Sequence, residues 1–107
     1  ISSVTRQHGK LVVLWEELAT GDQGAVFEPP PGYALDSMQF TGTFGGGTAK
    51  IEGSNEPGGA GTYSEVEATG VAADGLVFPT GQALFFRPAL AGGTGGDVDA
   101  RALFAER

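Results

Sequence analysis

MQFTGTFGGGTAKIEGSN, residues 38–55, carries the alternation on which the fold class turns. Met38, Phe40, Gly42 and Phe44 alternate with Gln39, Thr41 and Thr43, and beyond Gly45-Gly46-Gly47 the pattern resumes with Ala49 and Ile51 against Lys50 and Glu52. Successive side chains of a strand point to opposite faces, so this period of two predicts a β-hairpin that reverses at the three glycines. Residues 85–104, FFRPALAGGTGGDVDARALF, repeat the plan. Phe86 and Leu90 share one face and Phe85 and Ala89 the other; after Gly92-Gly93-Thr94-Gly95-Gly96, Val98, Ala100, Ala102 and Phe104 oppose Asp99 and Arg101. A second hairpin is predicted, with an edge or a bulge where Pro88 has no N–H to donate.

Outward from these two segments, short apolar runs alternate with breakers. Leu11-Val12-Val13-Leu14-Trp15 reads as a strand buried on both faces, the alternative being one helical turn running on into Glu16-Glu17-Leu18-Ala19. A turn cluster at residues 20–24 leads to a short strand, Ala25-Val26-Phe27-Glu28, ended by Pro29-Pro30-Pro31-Gly32. Residues 54–61 read as a surface loop. Residues 63–68 read as a strand with Ser64, Val66 and Ala68 on one face and Tyr63, Glu65 and Glu67 on a solvated acidic one. Leu76-Val77-Phe78 is a further short strand, with Phe78 and Val66 expected in the core. Residues 1–10 are polar apart from Ile1 and Val4 and read as an extended N-terminal arm, leaving 11–107 as a single domain. About seven short strands with Gly and Pro turns and no helix of ten residues predict an all-β protein, an antiparallel β-sandwich of Ig-like or jelly-roll-like kind.

Composition narrows function by exclusion. A 107-residue chain with 40% hydrophobic residues can bury a core despite its 19 glycines. Without cysteine it has no disulfide, thiol nucleophile or thiolate metal site. Thirteen acidic against six basic residues, a net charge of −7, argue against a nucleic-acid surface. No run approaches a membrane span, and ISSVTRQHGK lacks the apolar centre of a signal peptide, so a soluble chain without an export signal is expected. Ile1 in place of Met is read as following processing or trimming.

Catalytic and cofactor chemistry finds little to use. His8, the single histidine, sits in the polar arm, which excludes a Ser-His-Asp triad or a multi-histidine metal site within one chain. The carboxylate pairs Glu16 with Glu17, Glu65 with Glu67 and Asp97 with Asp99 flank turns and polar faces, where solvated acids are expected. Asp97 and Asp99 could contribute to a calcium site, but the spacing of an EF-hand is absent. Neither glycine cluster precedes a helix or a Gly-Lys-Ser/Thr, so both are read as turns and not phosphate cradles. Trp15 and Tyr63 are candidate sugar-stacking residues, Trp15 reading better as core. No cofactor and no enzymatic activity are expected.

The order of motifs resembles a family of small tailed-bacteriophage proteins that decorate or cement the capsid. The resemblance runs through Leu14-Trp15, Thr20-Gly21-Asp22, Met38-Gln39-Phe40-Thr41-Gly42-Thr43-Phe44-Gly45-Gly46, Ile51-Glu52-Gly53-Ser54-Asn55, Phe86-Arg87-Pro88 and the Gly-Gly-Thr-Gly-Gly turn, covering most of residues 11–104. It departs at Glu56-Pro57-Gly58-Gly59, where the family usually has Asp-Gly and an aromatic. It implies a structural virion protein on the outside of an icosahedral capsid, made in the cytoplasm of the host bacterium. The implied partner is the major capsid protein, with a homo-oligomer (trimer or dimer) and no nucleic acid or membrane. Val4, Arg6, His8 and Lys10 of the arm are the candidate capsid or subunit contacts. The alternative is a surface-displayed Ig-like or carbohydrate-binding module recognising a host glycan through loops such as 54–61.

Overall fold

Eight strands and no helix make up the computed structural model, which describes residues 1–56, 62–67 and 69–107. They are β1 (Ser3–Gln7), β2 (Lys10–Ala19), β3 (Tyr33–Thr43), β4 (Thr48–Ser54), β5 (Ser64–Glu65), β6 (Gly75–Val77), β7 (Phe85–Ala91) and β8 (Asp97–Glu106). A five-stranded sheet in the order β1-β2-β8-β3-β6 faces a three-stranded sheet in the order β5-β4-β7, and every pairing is antiparallel. The protein is a β-sandwich.

The inner face of the large sheet is built in cross-strand rows. Val13, Ala102, Met38 and Val77 lie side by side, as do Trp15, Ala100 and Phe40. The central strand β8 thus supplies alanines between large neighbours, leaving room for Phe86, Ile51 and Leu90 of the opposite sheet to sink in, and all of these residues are buried. Phe104 sits under Phe27 and Phe86, with ring centroids 5.2 and 5.7 Å away.

Two bulges break the period of two. Trp15 and Leu18 both face inward because Glu16 and Glu17 stand opposite the single residue Asp99. Leu35 and Met38 do the same on β3, where the register shifts between Leu35 and Ser37. Gln82 repairs the second bulge, its Oε1 accepting from Leu35 N at 3.1 Å and its Nε2 donating to Leu35 O at 3.0 Å.

Neither predicted hairpin is one. β3 belongs to the large sheet and β4 to the small, and β7 and β8 are divided in the same way. Each glycine turn therefore carries the chain from one sheet to the other, and the two turns meet: Thr94 N donates to Gly45 O at 2.9 Å. A Cβ on Gly93 would collide with the backbone of residues 45–47, and one on Gly45 with that of Thr94. The short strand expected at residues 25–28 is a strap along β7, bridged at Gln23 to Ala89 and at Phe27 to Phe86. Phe86 N and Leu90 N both donate to this strap, so the nitrogen of Pro88, midway between them, faces it too, at the one place where no donor is needed.

Three further readings change. Residues 1–10 are extended and outside the core, but they are not a free arm: β1 pairs with β2 along its length. Phe78 is 62% exposed and not core, while Val66 packs against the core without being fully buried. Glu67, expected on a solvated face, is 7% exposed, because β5 ends at Glu65 and the alternation expected across residues 63–68 stops there. Ala68 lies outside the described residues.

Candidate interaction surface

β1 and β2 form the tight hairpin of the structure. His8 and Gly9 alone make the turn, both with positive φ (52° and 75°), the combination of a type I′ turn that matches the twist of the strands it joins. Val4 pairs with Val13 and Arg6 with Leu11, so both side chains share the core-facing side of the sheet. Yet β1 contacts only its neighbour β2 to any extent, and Val4 remains 48% exposed. Lys10, paired with Gln7 and Ala105, lies on the opposite face. The four arm residues thus gather at one corner, but on two faces and a turn.

Charge is polarised along this hairpin. Arg6, His8 and Lys10 occupy its turn end, with Glu106 nearby accepting from Tyr33 Oη at 3.1 Å and Arg6 beside the same hydroxyl. Glu16 and Glu17 occupy the other end, both exposed. Glu17 N donates to Asp99 Oδ1 at 3.1 Å, so that carboxylate closes the bulge.

The outer face of the five-stranded sheet is unexpectedly apolar. Leu14, Arg101, Gln39 and Leu76 form one cross-strand row, and Val12, Leu103 and Ser37 the next. Leu76 is 52% exposed, while Val12, Leu14 and Leu103 are partly exposed around Arg101. An antiparallel sheet with one solvated face ordinarily sets polar residues there, and the clustered aliphatics make this face the candidate contact surface. The uninterrupted run of residues 11–15 was the sequence signal, read as a strand buried on both faces.

The polar cleft beside residues 53–56 offers less than its size suggests. Asn55 Oδ1 accepts from Leu84 N at 2.9 Å, Ser54 Oγ from Glu56 N at 3.2 Å and Glu56 Oε1 from Thr62 N at 3.2 Å. These side chains are taken up by backbone N–H groups of the loop and of the segment that leads into β7. Residues 57–61 of the expected glycan-recognition loop, including Pro57-Gly58-Gly59 where the motif departs, lie outside the described residues. Trp15 is buried with its Nε1 donating to Ala25 O at 2.8 Å, and the Tyr63 ring is covered by Arg87 at 3.9 Å. Neither presents the open aromatic platform expected for stacking on a sugar.

The acids separate by environment. Glu65 pairs with Lys50 at 3.0 Å and Glu52 with Arg87 at 2.8 Å. Glu67 Oε2 accepts from Ile51 N at 3.2 Å, whereas its Oε1 is buried with no hydrogen-bond partner among the described residues. Burial, more than the nearby charge of Glu65, raises its pKa above the ordinary carboxylate value. Among the described residues no group of three or more His, Cys, Asp and Glu side chains is placed to hold a metal ion. No protein-family model, curated protein or solved structure matches this chain.

Proposed function

We propose that this protein is a structural component of a bacteriophage virion, binding the outside of an icosahedral capsid and stabilising or decorating it. The observation that carries the reading is the apolar outer face of the five-stranded sheet, where Val12, Leu14, Leu76 and Leu103 surround Arg101. A face that runs across β2, β8, β3 and β6 suits contact with a large surface. The motif order from Leu14-Trp15 to the Gly-Gly-Thr-Gly-Gly turn supports the same reading. The partner is the major capsid protein, and no reaction is involved. A ligand that binds only the assembled shell stabilises it by mass action, and many sites per shell multiply the effect.

Mixing the purified protein with bare expanded shells and sedimenting them tests the proposal. Saturable co-sedimentation and a higher shell disruption temperature are expected. Leu76→Asp and Leu103→Asp should weaken binding by about tenfold or more while leaving the fold intact, since a carboxylate must lose its hydration to enter a contact. Absence of shell binding together with specific binding on a glycan array would overturn the reading in favour of a carbohydrate-binding module.

A further inference from the structure

The sandwich has four exposed flanks where a strand has a neighbour on one side only, and three of them are blunted. β5 is two residues long and β6 three, too short to template another strand. The outer side of β7 is covered by the strap, with Pro88 facing it. β1 is different. It has five residues, no proline and no bulge against β2, and all five side chains are exposed.

The backbone groups left open on β1 can be identified. Gly9 O accepts from Glu106 N, so odd positions of the neighbouring strand face β8 and even ones face β1. Thr5 and Gln7, paired with Val12 and Lys10, therefore direct their N–H and C=O groups to β2. Those of Val4 and Arg6 point away from it, to the open edge.

We propose that this edge is completed by β1 of a second copy, antiparallel about a two-fold axis at Thr5, with Val4 of each copy opposite Arg6 of the other. That register pairs the two residues whose backbone groups are open. It places Thr5 against Thr5, Ser3 against Gln7, and no charge directly opposite a like charge. Charge complementarity selects the direction. The hairpin is basic at its turn, where Arg6 and Lys10 outnumber the neighbouring Glu106, and acidic at its other end, with Glu16 and Glu17. Antiparallel pairing sets the basic end of each copy beside the acidic end of its partner, twice over, whereas parallel pairing sets like ends together. The contact is isologous and closes at two copies. It makes one ten-stranded sheet and brings the two apolar outer faces onto a continuous surface. The open edge of β1 and the charges of its hairpin carry this pairing independently of the capsid reading.

A five-residue edge buries less area than a standard interface, so the dimer dissociates in the micromolar range. Sedimentation velocity on the full chain should show a monomer–dimer equilibrium that weakens as salt is raised. Val4→Pro removes an open-edge N–H and leaves the bonds to β2 in place, so it should yield a folded monomer, judged by circular dichroism and Trp15 emission. Glu16→Lys with Glu17→Lys should raise the dissociation constant by about tenfold, as expected from losing exposed charge pairs at two symmetric ends. Amide hydrogen exchange on the unaltered chain serves whether or not Val4→Pro folds: protection at Val4 and Arg6 should rise with protein concentration. A chain that stays monomeric to millimolar concentration, a dimer unaffected by Val4→Pro, a trimer, or concentration-independent exchange at Val4 and Arg6 each overturns the proposal.

Discussion

Glu67 holds a buried carboxyl between two roles. Its Oε2 caps the backbone N–H of Ile51, while its Oε1 has no partner among the described residues. Because burial raises the pKa in the folded state, the folded protein binds the proton more tightly than the unfolded chain does. Glu67 therefore favours folding fully below the ordinary glutamate pKa, and that contribution is lost as pH rises through the elevated folded value. Urea midpoints measured from pH 4 upward should fall over that interval relative to Glu67→Gln, which keeps an oxygen for Ile51 and carries no charge. Glu67→Ala should instead cost about 1–3 kcal/mol by leaving the Ile51 N–H buried and unsatisfied. None of this was legible in TYSEVEA. Alternation placed Glu67 beside Glu65 on a wet face, but period two holds only while a strand lasts, and β5 ends at Glu65.

At the scale of elements, the strands could be read and their partners could not. Met38, Phe40, Ile51, Phe86, Val98 and Phe104 alternate as expected and are buried. What failed was the inference from adjacency to pairing. Three or five turn residues suffice for a hairpin, but they also suffice to step between sheets, and side-chain alternation is the same in both cases. The hairpin that does exist was hidden because its outer strand, Ser3–Gln7, has no apolar face to mark it. The touching glycine turns yield a prediction. Gly93→Ala must accommodate both a positive φ (76°) and a collision with residues 45–47, whereas Gly95→Ala has the same kind of φ (67°) and open space. A loss of about 1–2 kcal/mol is expected at Gly95 and about 1–3 kcal/mol more at Gly93, measured by chemical denaturation.

For the whole molecule, stability concentrates where the two sheets meet over Phe104. Phe104→Ala should cost about 3–5 kcal/mol, a large share of the roughly 5–15 kcal/mol typical of a domain, and should lower the melting temperature sharply. Trp15, buried and hydrogen-bonded to Ala25 O, reports the transition through a red shift of its emission. The candidate surface divides in the same way as the fold. In sequence, Val4, Arg6, His8 and Lys10 read as one apolar and three polar positions of an arm and not of a hairpin, and the outer apolar face is hidden, since Val12 and Leu14 look identical in sequence to residues buried on both sides. The three-stranded sheet covers one face of β2 and leaves the other open.

β8, last of the eight strands in sequence, lies at the centre of the five-stranded sheet, between β2 and β3. During synthesis the chain must therefore wait. Until residues 97–106 clear the ribosome, β2 and β3 have no common neighbour, and the inner faces of both stay open to solvent or to chaperones. Folding of the large sheet thus waits for residues 97–106, with the long-range pairing that makes β proteins slow. A ribosome-stalled chain ending before residue 97 should remain protease-sensitive, and one carrying residues 97–106 beyond the exit tunnel should become resistant in a single step.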